Sequence, residues 1–477
     1  MNTLPVGTPR EHPSVNALDH SLLRAVVAGE ARLTREQALD LFNRMPFHEL
    51  GRWADARCRE LHGDSIRTYI IDRNINYTNV CNARCTFCAF RRDAGDADAY
   101  VLPKESIHEK IAELVAIGGT QILMQGGMNS DLPLDYYLDL LNSIREKFPA
   151  IHVHAFSPPE MIEFVHFFDP PGSTLFDKCR WVLTKLRDAG LHSLPGGGGE
   201  IFATPVRRKI GLGKCDAEAW LTVMYAAHSL GMFTSATMMF GHIEGFADRV
   251  HHMWLVREWQ DKALRVAESE ADHFGHYKAF IAWPFQRENT PLGRVKHWGA
   301  DPSELSREFP GDVVARGFAW GANPEVDYRE LGPDAAEFGR RVRMSGSSDY
   351  LRTQAISRLF LDNIYSIGAS WVTMGPHVGQ MGLAFGASDM GSVMMEENVV
   401  SSAGTTYCLD EAVLCRLIRE SGFVPAQRNN TYDVLRVHDG PLSPDRLVTD
   451  WSTHRAKRTH QEAPRPARAS VTVNATS

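Results

Sequence analysis

The sequence predicts an α/β fold, a (β/α)8 barrel of the TIM type with N-terminal helices before it and an inserted segment late in the chain. From Arg67 onwards, short β-rich segments alternate with amphipathic helical segments, and such alternation is typical of a parallel sheet. About eight strands can be counted, and eight βα units favour a closed barrel. Glycine-rich or polar segments follow the strands directly, as at the C-terminal rim of a barrel, where active sites lie.

The first predicted strand, RTYIIDRNINY from Arg67, is mainly β-branched and aromatic. Further strands are predicted in TQILMQGG, IHVHAFSPP, HSLPGGGGEI, MFTSATMMFGH and HYKAFIAWPF, with two late ones in ASWVTMG and MGLAFGASD. Helices are predicted between them, because apolar residues recur at helical spacing in segments such as KESIHEKIAELVAIGG. LRTQAISRLFLDNIYSIG is predicted to be the helix before the last two strands.

Composition divides the chain into six parts. A segment of more than fifty residues that is polar and lacks periodicity is too long for an ordinary loop, and it predicts an insertion that could serve as a lid or as an oligomer contact. The predicted parts are a disordered N-terminus (1–17), a helical region (18–66), the first part of the barrel (67–292), the insertion (293–348), the barrel completion with the C-terminal region (349–440) and a disordered tail (455–477).

Charge and hydropathy exclude several classes of protein. The net charge of −7 over 477 residues argues against a nucleic-acid surface, which needs clustered Lys and Arg. No apolar run approaches the length of a membrane span, and the N-terminus lacks the pattern of a secretory signal. The eight cysteines do not form a disulfide framework in a chain of this kind. We therefore expect a cytoplasmic enzyme that acts on a small molecule.

Three of the cysteines form a compact motif directly after the first strand. Cys81, Cys85 and Cys88 have the spacing C-x3-C-x2-C. Three thiolates can each bind one iron of a cubane cluster, which leaves the fourth iron open. A structural zinc site is the alternative, but it normally has four ligands arranged as pairs, and Cys179 and Cys215 stand alone. The motif therefore predicts a redox-active 4Fe–4S cluster.

Other predicted rim residues are candidates for ligand contacts. Four consecutive glycines precede Glu200, and they would leave space for a bulky ligand beside this carboxylate, although a flexible linker is the alternative. Glu244 could bond a ribose hydroxyl. His242 could be an acid or base, or part of a satisfied hydrogen-bond network. Gln286 and Asn289 offer amide groups after the next strand.

The cysteine spacing resembles that of the radical S-adenosylmethionine superfamily. The resemblance implies that S-adenosylmethionine binds the open iron and yields a 5′-deoxyadenosyl radical on reduction. It also implies that Phe87 lies beside the adenine, and that the Gln125-Gly126-Gly127 turn lets the backbone approach the methionine amino group. A plain tight turn is the alternative for these glycines.

A wider set of segments resembles one family within that superfamily, the futalosine synthases of menaquinone biosynthesis and the deazaflavin synthase subunits. These segments are CNARCTFCAF, LMQGGMNSDLPLDYY, HVHAFSPPE, SLPGGGGEI, ATMMFGHIE, FIAWPFQRENTPLG, ASWVTMGP and FGASDMGSVMMEENVVSSAG. The late FGASDMGS and MEENVV segments are similar to the cyclase branch, which acts on dehypoxanthine futalosine. The long insertion departs from the family pattern.

The resemblance implies that the adenosyl radical takes the C4′ hydrogen of the substrate's ribose, and that the carbon radical then closes a ring onto the benzoate. A base must remove a proton, and the candidates are Glu200, His242 and Asp389, which are all predicted to follow strand ends. An electron donor such as flavodoxin or ferredoxin is also implied. The alternatives are another substrate within the family, as for aminofutalosine synthase or a deazaflavin synthase subunit, and a non-catalytic zinc or iron–sulfur protein.

Overall fold

The computed structural model describes residues 20–269, 273–294, 345–405 and 407–454. The predicted N-terminal segment, nearly all of the predicted insertion and the predicted tail lie outside these residues, and the six-part division stays a prediction. None of the helices in the described part of the chain combines the length and apolar composition that a membrane span requires.

The helices and strands follow the predicted alternation. The strands are β1 (Ile66–Ile75), β2 (Gln121–Met124), β3 (His152–Ala155), β4 (Thr234–Phe240), β5 (Tyr277–Pro284), β6 (Ser366–Gly368), β7 (Asp389–Met394), β8 (Val424–Arg428) and β9 (Val434–Val437). The helices are α1 (His20–Ala28), α2 (Arg35–Arg44), α3 (Phe47–His62), α4 (Lys104–Ala116), α5 (Leu134–Lys147), α6 (Pro158–Phe168), α7 (Leu175–Ala189), α8 (Thr204–Ile210), α9 (Ala217–His228), α10 (Phe246–Ser269), α11 (Pro291–Arg294), α12 (Ser347–Phe360), α13 (Trp371–Met374), α14 (Pro376–Gly382), α15 (Val399–Ser402) and α16 (Glu411–Glu420). Two 3₁₀ turns lie at Leu383–Phe385 and Trp451–Thr453.

The central sheet is a curled parallel sheet of seven strands in the order β3-β2-β1-β7-β6-β5-β4. Its two outer strands are joined through a short segment, because His154 of β3 forms a parallel bridge with Ser193, and Leu194 forms one with Thr234 of β4. Ser193 and Leu194 thus occupy the place of the predicted strand in HSLPGGGGEI. The prediction of an α/β barrel is confirmed, with one of its strands reduced to this bridge. β8 pairs in parallel with the start of β1, and β9 pairs with β8 in antiparallel orientation.

Residues of β1 alternate between the helix layer and the barrel interior, as the period of a strand requires. Arg73 faces the outer helices, since it bonds the carbonyl of Lys110 and the Glu113 carboxylate on α4. Thr68 and Asp72 face the interior, where they contact residues of the neighbouring strands. This alternation decides which side chains can reach a ligand inside the barrel.

The prediction for the last two strands is wrong in detail. The helix α12 ends at Phe360 rather than running to Gly368, and β6 is Ser366–Gly368. ASWVTMG forms the helical turn α13, and the second predicted strand is α14 and a 3₁₀ turn before β7 begins at Asp389. Short apolar runs do not distinguish a strand from a buried helical turn, and the burial of Trp371 explains the misplaced strand.

Candidate active site

The cysteine loop follows the C-terminal end of β1 and is held by backbone bonds to neighbouring loops. The Cys81 N–H donates to the carbonyl of Arg92, and the Asn82 N–H donates to that of Met128 after β2. Arg84 and Thr86 donate to carbonyls in the loop at Ile210–Leu212. The three thiols are therefore fixed on the C-terminal rim of the barrel, as predicted for an active site.

The three cysteines pack together with Ala83 and Met128. Cys85 is buried, whereas Cys81 and Cys88 are partly exposed. Burial raises the pKa of the Cys81 thiol to about 11 and that of Cys85 to about 12. In the described part of the chain, no three His, Cys, Asp or Glu side chains are arranged to hold a single metal ion. A cubane cluster takes one thiolate on each of three irons, so the donor set fits a 4Fe–4S cluster better than one zinc ion.

The Gly126-Gly127 turn packs directly against the cysteine loop. A Cβ on Gly127 would lie 2.0 Å from the Val80 carbonyl oxygen and 2.8 Å from the Cys81 Cβ. A Cβ on Gly126 would lie 2.5 Å from the Tyr77 ring. Only glycine permits this approach, so the turn has a steric function beyond that of a plain turn.

The glycine run before Glu200 packs closely against neighbouring segments of the rim. A Cβ on Gly196 would lie 2.7 Å from the Ser235 carbonyl oxygen, and one on Gly199 would lie 2.5 Å from that of Thr237. A Cβ on Gly197 would lie 2.3 Å from the Gln125 side-chain nitrogen. These glycines bring the rim segments into contact, and the ligand space predicted beside Glu200 stays a prediction.

Glu200 is fixed at the rim by an ion pair that sequence reasoning missed. Its carboxylate accepts from the Lys214 ammonium at 2.9 Å, and Lys214 lies 5.0 Å from the ring centroid of Phe87. Burial works against the charge of Lys214, but Glu200 and Cys85 hold its pKa above the usual value. Glu200 has a φ of 45°, a region that non-glycine residues rarely adopt and that is enriched at functional sites. Lys214 thus connects Glu200 to the cysteine loop.

His242 and Glu244 are bonded by the protein's own groups. The Glu244 carboxylate, 2 % exposed, accepts from the backbone N–H groups of Gly241 and His242 and from Arg249. Burial disfavours its ionisation, but Arg249 and the two backbone N–H donors lower the pKa of Glu244. The His242 ring accepts from the Ile243 N–H and also lies 3.2 Å from the Met239 carbonyl oxygen.

These contacts favour the satisfied-network interpretation of His242. Burial lowers the pKa of His242, and with a neutral ring the Nδ1 accepts from Ile243 although the Glu244 carboxylate is only 3.0 Å away. The expected ribose contact of Glu244 stays a prediction that this geometry does not favour.

The two predicted amides, Gln286 and Asn289, bond within the protein. Gln286 accepts from the Thr405 hydroxyl, and Asn289 donates to the Ser402 carbonyl, so both amides join the segment after β5 to the segment after β7.

Asp389 is not at the rim, and the prediction that it follows a strand is wrong. It is the first residue of β7 and pairs with Thr68 near the start of β1, which places it towards the N-terminal end of the barrel. The Arg428 guanidinium binds both of its oxygens, at 2.5 and 2.9 Å, and Thr68 donates to it at 2.6 Å. The last strand is predicted at MGLAFGASD but begins only at Asp389, and this error puts Asp389 at the wrong end of the strand.

Comparison with known proteins agrees with this geometry. The Radical SAM superfamily profile matches residues 75–255, and the profile described as the CofH/MqnC C-terminal region matches residues 336–440. The fold is similar to that of HydG, a maturase of FeFe-hydrogenase, with a TM-score of 0.56 at 13 % identity over 85 % of this chain and 75 % of that one. The fold and the cysteine loop together define a radical S-adenosylmethionine enzyme, a class that uses a 4Fe–4S cluster and S-adenosylmethionine.

Two full-length relatives narrow this class. Cyclic dehypoxanthine futalosine synthase from Halalkalibacterium halodurans is 39 % identical over 418 residues, which are 88 % of this chain and 95 % of the relative. The enzyme of the same name from Streptomyces coelicolor is 35 % identical over 424 residues, 88 % of this chain and 89 % of the relative. The chain belongs to the radical S-adenosylmethionine family that contains the cyclic dehypoxanthine futalosine synthases.

Proposed function

We propose that this chain is a cyclic dehypoxanthine futalosine synthase, which closes a carbon ring in a nucleoside-derived precursor of menaquinone. The observation that carries the proposal is the 39 % identity to such a synthase over 95 % of that relative's length. The late FGASDMGS and MEENVV segments support the same branch of the family.

The chain supplies the parts that such a reaction requires. Cys81, Cys85 and Cys88 would hold the cluster, which with S-adenosylmethionine supplies a 5′-deoxyadenosyl radical when bound. The glycines of the Gly126-Gly127 turn would let the backbone approach the methionine end of S-adenosylmethionine, and Phe87 would lie against its adenine. The curled sheet would surround the substrate on most sides and so would limit the access of water to the radical.

Glu200 and Lys214 would act on the side of the rim nearest the cysteine loop. Lys214 holds the Glu200 carboxylate in one orientation through the 2.9 Å ion pair, so Glu200 can accept a hydrogen bond from a ligand hydroxyl at a fixed position. The Gln125 side chain lies against Gly197, so the turn after β2 contacts the glycine run that precedes Glu200. The two partly exposed thiols leave that side accessible.

The proposed reaction also requires an electron donor, and a small iron–sulfur or flavin protein such as ferredoxin or flavodoxin suits this need. A reducing compartment, the cytoplasm, is compatible with eight cysteines that form no disulfide in the structure.

The test is turnover by the anaerobically reconstituted protein with S-adenosylmethionine, a chemical reductant and dehypoxanthine futalosine. We expect the cyclic product and 5′-deoxyadenosine in equal amounts, and deuterium placed at C4′ of the substrate should appear in the 5′-deoxyadenosine. The Cys85→Ala variant is the matched control and should form neither. Formation of 5′-deoxyadenosine alone would contradict the proposal, and turnover with a chorismate-derived enol ether, or with tyrosine and a flavin precursor, would assign the chain to another branch.

A further inference from the structure

The interior of the barrel is unusually polar beneath the cysteine loop. Interior positions of such barrels are normally filled by branched aliphatic residues. Here the strand register places Asp72, Asn74, Gln121 and His154 on the interior face of β1, β2 and β3. Asn74 is buried, and its side-chain oxygen has no hydrogen-bond partner within the described residues. Such a lining suits a hydroxylated ligand rather than a packed core.

Two apolar side chains on the inner side of the sheet keep accessible surface. Leu123 is paired with Asn74 and therefore faces the interior, yet it is only partly buried. Ile281 of β5 is linked by register through Gly368 to Asp389, so it also faces the interior, and it too is only partly buried. Since both side chains face inward by register, their accessible surface lies on the inner side of the sheet.

A β-bulge in β7 turns Ser392 towards Asp72. The register with β1 shifts between the pairs Thr68–Asp389 and Ile70–Ser392, so that Asp389 and Ser392 both face inward although they are three residues apart. Gly391, within the bulge, has a φ of 72°, which favours glycine. Bulges beside active sites commonly redirect a side chain in this way.

Asp72 differs from the other buried carboxylates of the site and its surroundings. Glu200, Glu244 and Asp389 each have a Lys or Arg partner, and Glu160, Asp248 and Glu397 accept from backbone N–H groups at helix starts. Asp72, 7 % exposed, accepts instead from the Gln121 amide at 2.9 Å and from the Ser392 hydroxyl. The Asn430 amide donates to the Gln121 side-chain oxygen, which fixes the Gln121 nitrogen towards Asp72.

The Ser392 hydroxyl can satisfy either protonation state of Asp72. Its oxygen lies within hydrogen-bond distance of the Asp72 Oδ1 and also 2.7 Å from the Val393 carbonyl oxygen. A hydroxyl has one proton and can also accept. When Asp72 is ionised, Ser392 donates to it; when Asp72 is protonated, Asp72 donates to Ser392 and Ser392 donates to the carbonyl. No heavy atom needs to move.

We propose that Asp72 is the base that accepts the proton lost by the substrate, and that Ser392 is its positioning residue. The inference rests on the proposed function. After the new carbon–carbon bond forms at the aromatic ring, the ring carbon carries one extra hydrogen and the ring one unpaired electron. The C–H bond breaks, its proton forms an O–H bond with the Asp72 carboxylate, and the remaining electron passes to a one-electron acceptor of the iron–sulfur class. The aromatic ring is then restored as a closed shell.

The charges around Asp72 suit a base that gains and releases one proton in each turnover. Burial raises the pKa of Asp72, which makes it a stronger proton acceptor. The hydrogen bonds from Ser392 and Gln121 and the charge of Arg428 on β8 act in the opposite direction and lower this pKa. The charge of Asp389 on β7 raises it further. From β3, His154 is held neutral by burial, which lowers its pKa, and it bonds the Ser193 hydroxyl, so it does not compete as a cation.

The test compares Asp72→Asn and Ser392→Ala with Asp248→Asn, which changes a buried carboxylate at the start of α10 that accepts from the Gly245 N–H. Asp72→Asn should still transfer deuterium from C4′ of the substrate into 5′-deoxyadenosine. Its ratio of cyclic product to 5′-deoxyadenosine should fall by about 10²-fold or more, since a positioned base contributes about 10²–10⁴-fold. Substrate deuterated on the aromatic ring should then show an isotope effect on product formation that wild type lacks.

Ser392→Ala should move the acid limb of product formation to higher pH, because it removes a donor to the carboxylate, and it keeps the test decisive if Asp72→Asn does not fold. Asp248→Asn should leave the product ratio unchanged. An unchanged ratio in Asp72→Asn, or an unmoved acid limb in Ser392→Ala, overturns the assignment of the base. So does loss of deuterium transfer in Asp72→Asn with intact cluster absorbance. Failure of wild type to form any cyclic product instead overturns the proposed function.

Discussion

Two buried ion pairs lie at opposite ends of the barrel, and their surroundings differ. Lys214 and Glu200, 2.9 Å apart, lie at the C-terminal rim beside Phe87 of the cysteine loop. Arg428 and Asp389, 2.5 Å apart, lie towards the N-terminal end, where β8 joins the start of β1. The chemistry of the two pairs is the same. They differ in position along the barrel axis. The pair at the C-terminal rim can contact a ligand, whereas the pair at the N-terminal end stabilises the barrel.

The largest expected effect distinguishes a rim cysteine from one near the other end. Replacement of Cys81, Cys85 or Cys88 by Ala should abolish cleavage of S-adenosylmethionine, measured as 5′-deoxyadenosine by chromatography, because each thiolate is expected to hold one iron. Cys58 is the control, since it is buried on α3 and its thiol lies 3.5 Å from the Ala387 carbonyl oxygen. Cys58→Ala should keep the cleavage and lower only the melting temperature. Retained cleavage in any of the three rim variants would contradict the ligand assignment.

A smaller but still severe effect is expected at the turn that packs on the cysteine loop. In Gly127→Ala, the new Cβ would lie 2.0 Å from the Val80 backbone oxygen, so the loop must shift away from its position. We expect a several-fold loss of bound iron and sulfide after reconstitution, measured by elemental and sulfide analysis. Gly95→Ala is the matched control, because no atom lies within 4 Å of the added Cβ. Equal iron content in the two variants would show that the close packing of Gly127 is not needed to hold the cluster.

The two ion pairs themselves provide the next comparison. Arg428→Met leaves Asp389 buried without its cation, and loss of one partner from a buried pair typically costs about 3–5 kcal/mol of unfolding free energy. We expect this decrease in the free energy of unfolding when the Arg428→Met variant is unfolded with denaturant, and we expect the absorbance of the cluster to be unchanged. Lys214→Met should alter S-adenosylmethionine affinity or the cluster's electron paramagnetic resonance signal as well as stability. If both variants change only the stability, the proposed difference between the C-terminal rim and the N-terminal end of the barrel is wrong.

The sequence predicted the parts of the site that depend on local pattern. The Cys81–Cys88 spacing, the Gly126-Gly127 turn and the early strands follow from residue type and periodicity within short windows, and the structure places them as expected. Asp389 was misplaced because the apolar residues Leu383 and Phe385 of MGLAFGASD fit a strand and a buried 3₁₀ turn equally well. Lys214 was missed because it has no motif of its own. Its importance comes from the fold, which brings it to Glu200 and Phe87.

The roles of Asp72 and Ser392 could not have been inferred from the sequence for a similar reason. RTYIIDRNINY reads as a buried strand, and nothing in it separates Asp72 from a residue facing the helices. The bulge at Gly391 changes the inward-facing residues of β7, and a one-residue change of register exchanges the two faces of a strand.

The smallest expected effect is a pH dependence of stability at the rim. Burial raises the pKa of Glu160 to about 7, although Ser157, Tyr77 and the Gly126 N–H all bond to its carboxylate. The folded state therefore keeps this proton at pH values where the unfolded chain has lost it. Stability should fall as the pH rises from about 4.5 to about 7, by at most about 1.4 kcal/mol for each pH unit. Glu160→Gln removes the titrating group and should flatten this slope in chemical denaturation at several pH values, while Arg428→Met at the other end should keep it. A slope that is the same in Glu160→Gln and wild type would show that another group titrates in this range, and the Gly126 turn would then rest on an ionised Glu160.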